Sequence, residues 1–526
     1  MATTDKSPGV EAFERLSSDA VQSLTNEFGG DVLTPSDGAY EEHRQVWNGM
    51  IDNYPAIIAR CVDVDDVAIA VTFAREQGVI VAVRGGGHNV AGTAIRDGGL
   101  VVDLEEMNGV RVDPDTRTVR AEGGATLGHL DRETQRFGLA TALGAVSETG
   151  IAGLTLNGGY GHLSRQYGLA LDGLVGVDIV TADGQVRTAT AEQNADLFWA
   201  VRGGGGCFGV VTAFEYALYD VGPEVYTLFT WFHGDDTADV MDAFQEWTID
   251  APRKAGILVF TAHVPELEEY PEDSWGEPAL VFLGSYRGRV GEADGVDEAN
   301  SVDEAERVFR PLYERATPIV DMSGPMRYVD LQSMLDEDYP DGLRYYWKSI
   351  YLTELTDEVV DLMARYNESA PSALSTIDLW YLEGAVGEVP RDATAFWHRD
   401  KPYMLNVEAN WEEAVDDDAN VTWAREAIAE ARTLSVAGGG YGNFPGMNEA
   451  PAKTALRRQP RATGGREDGR RSGEHVPDER RHQASDGRVN AGWRRCRGIA
   501  VAVSRAGPTT TATSAKSRRC SLRTAA

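Results

Sequence analysis

The chain has 526 residues, with 49 Lys+Arg against 83 Asp+Glu and a formal net charge of −34, so it exceeds one simple core and two domains are the natural expectation. The acidic balance argues against nucleic acid as a partner, because affinity for a phosphate backbone comes from Lys and Arg. Before the last 76 residues Cys61 and Cys207 are the only cysteines, no disulfide framework or metal site is implied, and no run reaches membrane-spanning length, so a cytoplasmic protein without a membrane partner is expected.

From Pro55 the pattern is that of a βαβ unit. An apolar run at Ala56–Ala59 is followed by Val67, Ala70, Val71 and Ala74 at helical spacing, and then by the β-branched run Val79–Val83. Asp63 or Asp65 is the expected helix cap. The chain then enters Arg84-Gly85-Gly86-Gly87-His88-Asn89-Val90-Ala91-Gly92, a loop of bare backbone at the end of a strand, where open α/β sheets place phosphates, with an imidazole at the turn. Alone, such a triplet is weak evidence, since Gly-Gly-Gly turns are common.

About sixty residues on, a second glycine-rich segment runs from Gly150 and Gly153 through Asn157-Gly158-Gly159-Tyr160-Gly161-His162 to Arg165 and Gly168. A strand and turn follow at Val177–Gly184, and then Asp196-Leu-Phe-Trp-Ala-Val-Arg202-Gly203-Gly-Gly-Gly206-Cys207-Phe-Gly209. Three glycine clusters in this order resemble the FAD-linked oxidases with a p-cresol-methylhydroxylase-type flavin domain, in their berberine-bridge-enzyme-like branch. The resemblance runs from roughly Phe13 to Glu449. It implies an α+β fold: a two-subdomain FAD-binding domain, and a substrate domain whose antiparallel sheet is covered by helices.

The same resemblance implies that His88 bonds covalently to the flavin. Many relatives add a second bond through a Cys just before the second glycine segment, but the corresponding position here is Val146, so a single link is expected. Arg84, Gly85, Gly86, Gly87, Asn89, Gly92, Gly150, Gly153, Asn157, Gly158, Gly159, Gly161, His162, Arg165 and Gly168 are the expected cofactor cradle. Tyr441 and Asn443 are the candidates for the flavin-facing catalytic pocket. His162 and His398 are not read as catalytic bases, and Cys207 is expected to pack as a small apolar residue.

Residues 1–225 are assigned to the flavin domain and 226–430 to the substrate domain. In the latter, runs such as Gly256–Ala262 and Ala279–Leu283 suggest antiparallel strands, and Asp357–Tyr366 is amphipathic. Residues 431–455 form a return segment to the flavin domain, and 456–526 an aberrant basic tail. That tail lacks the closing motifs that the resemblance leads one to expect. One reading is a disordered basic tail; a sharper one is that the chain is out of frame from about Leu456, since under a one-base shift Leu456-Arg457-Arg458-Gln459-Pro460 can decode as Tyr-Gly-Asp-Asn, and Val476–Arg480 as Phe-Arg-Met-Asn. Residues 1–450 hold 31 Lys+Arg and 77 Asp+Glu, a net of −46, and their only lysines are Lys6, Lys254, Lys348 and Lys401. Such a surface resembles those of proteins from salt-accumulating organisms.

The implied activity is hydride transfer from a small-molecule C–H bond (alcohol, sugar or similar) to FAD, with dioxygen as the expected oxidant. Two alternatives stay open at this point: a flavin-binding protein without turnover, and a dehydrogenase that passes electrons to another carrier.

Overall fold

A computed structural model describes residues 6–286, 298–434 and 439–447, all within one compact unit. The tail from Leu456, with its reading-frame expectation, lies outside the described residues.

The first sheet contains Asp31–Leu33, Ile57–Arg60, Leu100–Asp103 and Val81–Arg84, in that spatial order. The expected helix runs from Val64 to Gln77, and the Asp63 carboxylate caps it by accepting the Asp65 and Asp66 N–H groups at 2.9 and 3.0 Å. Val67, Ala70, Val71 and Ala74 bury that helix against Ile57, Ala59, Leu100 and Val102. The βαβ unit is present in split form, since Ile57–Arg60 and Val81–Arg84 do not pair with each other. Leu100–Asp103 lies between them, parallel to both. All four of its residues are buried, as befits a central parallel strand covered on both faces.

A second, antiparallel sheet has the order Val110–Asp113, Thr118–Glu122, Val210–Ala217, Leu174–Val180, Val186–Thr190. The third sheet has eight strands. Its main path runs Val320–Asp321, Glu224–His233, Pro278–Tyr286, Ala255–His263, Thr376–Tyr381, Tyr403–Trp411, Arg344–Leu352, and Gly324–Arg327 also pairs with Glu224–His233.

Alternation gives this third sheet two distinct faces. Ile350, Leu352, Ile377, Leu379, Leu405, Val407 and Ala409 face a core shared with helices Thr237–Asp250, Glu298–Phe309, Asp357–Glu368 and Asp417–Leu434. Burying each large apolar side chain there is worth about 1.5–3 kcal/mol. The register places Trp347, Ser349, Tyr351, Thr376, Asp378, Trp380, Asn406, Glu408 and Asn410 on the other face. That face meets the glycine segments: the Tyr351 and Tyr160 hydroxyls lie 3.1 Å apart, and Trp347 packs edge-on to Trp47. Among the described residues no helix is long and apolar enough to cross a membrane.

Candidate functional site

The two glycine segments touch. A Cβ on Gly86 would stand 2.5 Å from the Gly150 nitrogen, and one on Gly150 would stand 2.4 Å from the Gly86 nitrogen, so neither position admits a side chain without separating the loops. Gly150 in turn precedes the short helix Ile151–Leu156. Gly153 on that helix is exposed, and a Cβ there would meet nothing within 4 Å. The first of these loops borders a cavity of about 490 Å³ lined by Gly86, His88, Thr126, Gly128, His129, Arg132, Ser147, Glu148 and Asp341. A cofactor approaching backbone closely, as a flavin does, fits this combination of side-chain-free loops, open space and an imidazole on the wall.

His88 follows Gly87, whose φ of +72° turns the chain through the left-handed region. Its ring stacks on Trp47 with centroids 4.8 Å apart and planes 16° apart. Burial pushes its pKa down to about 4, so the imidazole is neutral at pH 7 and carries a free electron pair.

The other expected cradle residues divide by what they touch. Asn89 caps its own loop, its Oδ1 accepting from the Ala91 N–H at 3.2 Å and the Thr93 hydroxyl at 3.0 Å. The Arg84 guanidinium is engaged by Asp103, through Nε to Oδ1 at 3.0 Å, and by the His43 carbonyl at 2.8 Å, so it anchors the loop from beneath. Arg165 donates to the Pro252 and Ala255 carbonyls and lies over the Tyr381 ring at 4.2 Å, tying its segment to the third sheet. Gly85 stands against the Gly123 carbonyl, Gly92 against Ile51, Gly159 against Ala170, Gly161 against the Leu143 carbonyl and Gly168 against Asp172, which makes these packing positions. Asn157 ends helix Ile151–Leu156, and its amide donates to the Gly153 carbonyl at 3.2 Å. His162 is buried, and burial lowers its pKa to about 4. Cys207 corrects an expectation, because it is exposed in its glycine turn rather than packed.

Tyr441 and Asn443 come together against the second glycine segment. The buried Tyr441 hydroxyl accepts from the Gly159 N–H and from the Asn443 amide, both at 2.8 Å, and burial pushes its pKa up to about 12. A Cβ on Gly158, whose φ is +140°, would fall 3.0 Å from the Tyr441 ring.

The sequence reading missed an acidic pair on the inner face of the third sheet. Asp378 accepts from the Thr376 hydroxyl at 2.8 Å, and Glu408 accepts from the Tyr339 hydroxyl at 3.1 Å. Desolvation raises Asp378 to about 7; Glu408 is raised well above its ordinary value by desolvation first and then by the charge of Asp378. Asn406 beside them is fully buried. The signal lay in the strand itself, where Asn406, Glu408 and Asn410 alternate with Leu405, Val407 and Ala409.

The fold and these loops define a flavoprotein oxidoreductase. Residues 55–190 match the FAD binding domain family. The chain is 31% identical over 373 residues to an FAD-linked oxidoreductase of Dictyostelium discoideum, covering 69% of this chain and 76% of the relative. It is 30% identical over 438 residues to (R)-6-hydroxynicotine oxidase of Paenarthrobacter nicotinovorans, covering 81% of this chain and 89% of that one. The solved structure of berberine-bridge-enzyme-like 1 from Physcomitrella patens shares the fold, with a TM-score of 0.73 at 22% identity over 83% of this chain and 93% of that one. The chain therefore belongs to the FAD-linked oxidoreductases with a p-cresol-methylhydroxylase-type FAD-binding domain.

Proposed function

We propose that this FAD-dependent oxidoreductase carries its flavin on a single covalent bond at His88 and oxidises a small molecule at a carbon bearing a hydroxyl or amino group, with dioxygen as the final oxidant. The observation that carries this reading is His88 itself, a neutral imidazole on the wall of the cavity where the two glycine segments meet. In this reading residues 1–225 hold the cofactor through Gly86, His88, Gly150 and Gly153, and residues 226–430 form the substrate wall.

When bound, FAD supplies a two-electron acceptor, and the protein supplies binding, orientation and a proton acceptor. The Asp378–Glu408 pair is that acceptor in our reading. Two buried carboxyls side by side cannot both ionise cheaply, so the pair holds a proton near neutral pH and takes up another as substrate loses one. Tyr339 links the pair to the tether side, its hydroxyl donating to Glu408 and its carbonyl accepting from the Trp47 indole N–H at 2.8 Å. Tyr441 and Asn443, bonded to each other and to Gly159, are the further candidates for the substrate pocket in this reading.

Two relatives motivate the substrate range: one is named a hydroxynicotine oxidase, another a glucooligosaccharide oxidase. The test is anaerobic mixing of the purified yellow protein with panels of sugars, alcohols and cyclic amines. A substrate should bleach the visible flavin band, and readmitted air should restore it with one hydrogen peroxide per cycle. Bleaching that only a dye can reverse would replace the oxidase reading by a dehydrogenase.

A further inference from the structure

The segment Trp47-Asn48-Gly49 lies far in sequence from both the tether loop and the third sheet, yet it is bonded to each. The Asn48 amide donates to the Val90 carbonyl at 2.7 Å, two residues beyond His88, and to the Tyr345 carbonyl at 2.9 Å. Its Oδ1 accepts from the Tyr345 N–H at 3.1 Å. Around it the Gly49 N–H donates to the Leu343 carbonyl and the Gly342 N–H to the Trp47 carbonyl, both at 2.8 Å. Asn48 is fully buried and Trp47 nearly so.

Besides the His88 ring, Trp47 has one hydrogen-bond partner and two aromatic neighbours. Its indole N–H is bonded to Tyr339, and its ring lies on Tyr345 at 3.7 Å and 12°. Trp347 stands edge-on at 5.3 Å. The imidazole of His88 therefore lies against a plane held by a hydrogen bond and two aromatic contacts.

We propose that Trp47 is a positioning residue for attachment of the flavin: clamped by Asn48 between the tether loop and the third sheet, it fixes the plane of the His88 ring so that a ring nitrogen points at the methyl carbon it attacks. This rests on the reading that His88 carries the flavin. In that step His88 contributes the electron pair for a new bond to the 8α-methyl carbon of FAD. One proton leaves the methyl and one leaves the imidazole. The two electrons released pass to dioxygen, which takes up both protons and departs as hydrogen peroxide. Bond formation needs a near-attack geometry, and a displacement of about 1 Å can cost on the order of a hundredfold in rate. A flat neighbour preserves that geometry and a flexible one does not.

The test uses the full chain, produced in riboflavin-starved cells and then mixed with FAD in air, with acid-stable flavin followed over time against total bound flavin. Trp47→Phe should attach flavin within about threefold of the unaltered rate. Trp47→Leu and Trp47→Met should bind FAD reversibly but attach it at least about tenfold more slowly, on the order expected for lost orientation. His88→Ala sets the zero. Attachment by the Leu and Met variants at the full rate would overturn the proposal. So would a Phe variant as slow as the Leu variant, or loss of folding in both aliphatic variants, since either would make Trp47 a packing residue. If the unaltered protein itself releases all its flavin in acid, the failure belongs to the His88 reading instead.

Discussion

At Glu408 a buried acid meets a second acid and one phenol, and that arrangement makes a prediction about pH. Because both carboxyls are raised, with Asp378 at about 7, the pair gains capacity to accept a proton as pH climbs through neutrality. The expected kcat/KM therefore rises through about pH 7 and then levels. Glu408→Gln should abolish that rise and lower kcat/KM by about 10²–10⁴, the usual contribution of a positioned acid or base. A variant that keeps the full rate and the same profile would remove Glu408 from the chemistry. The free His88 imidazole, lowered by burial to about 4, is neutral across the same range, as its attachment to a flavin requires.

Among the elements, helix Leu127–Thr134 of the flavin-binding part and helix Tyr328–Gln332 beside the third sheet meet through a buried contact, Gln332 Nε2 donating to Asp131 at 3.0 Å. Among the described residues no cation pairs with the Asp131 carboxyl, and desolvation raises it to about 7. An acid raised on folding binds its proton more tightly in the native state. Its stabilising contribution is thus complete below the ordinary carboxylate range near 4 and is lost as pH rises to about 7. Asp131→Asn should flatten the fall of melting temperature across that window and stabilise the protein at pH 8 by about 2–4 kcal/mol. An unchanged slope would show that the carboxylate finds water there. These same elements show what a sequence can disclose. Helix Val64–Gln77 and strands Ala255–His263 and Pro278–Tyr286 follow directly from periodicity and caps, and the loop at Gly85–Gly87 follows from its glycines. The insertion of Leu100–Asp103 between two local strands does not follow, because a short apolar run says nothing about its neighbours in space. Trp47, Tyr339 and Glu408 escaped for the same reason: each reaches the site through contacts across 41 to 292 positions, such as Trp47 to Tyr339. They carry no local motif.

For the whole molecule, charge and cofactor set the tests. Residues 1–450 carry a net of −46 with only four lysines. Unscreened repulsion reaches about 30 Å at 0.01 M salt but only about 3 Å at 1 M. The melting temperature should therefore climb steeply between 0.01 and 1 M KCl, and a flat curve would mean that the acids are already neutralised by their arginine partners. The central claim, an oxidoreductase that holds FAD through one residue, is tested most directly by acid precipitation followed by protease digestion and mass spectrometry of the yellow peptides. The pellet should stay yellow and yield a single flavin-bearing peptide containing His88, which is lost in His88→Ala. A colourless pellet with all the flavin in the supernatant, or a flavin mapped to a peptide without His88, would contradict it.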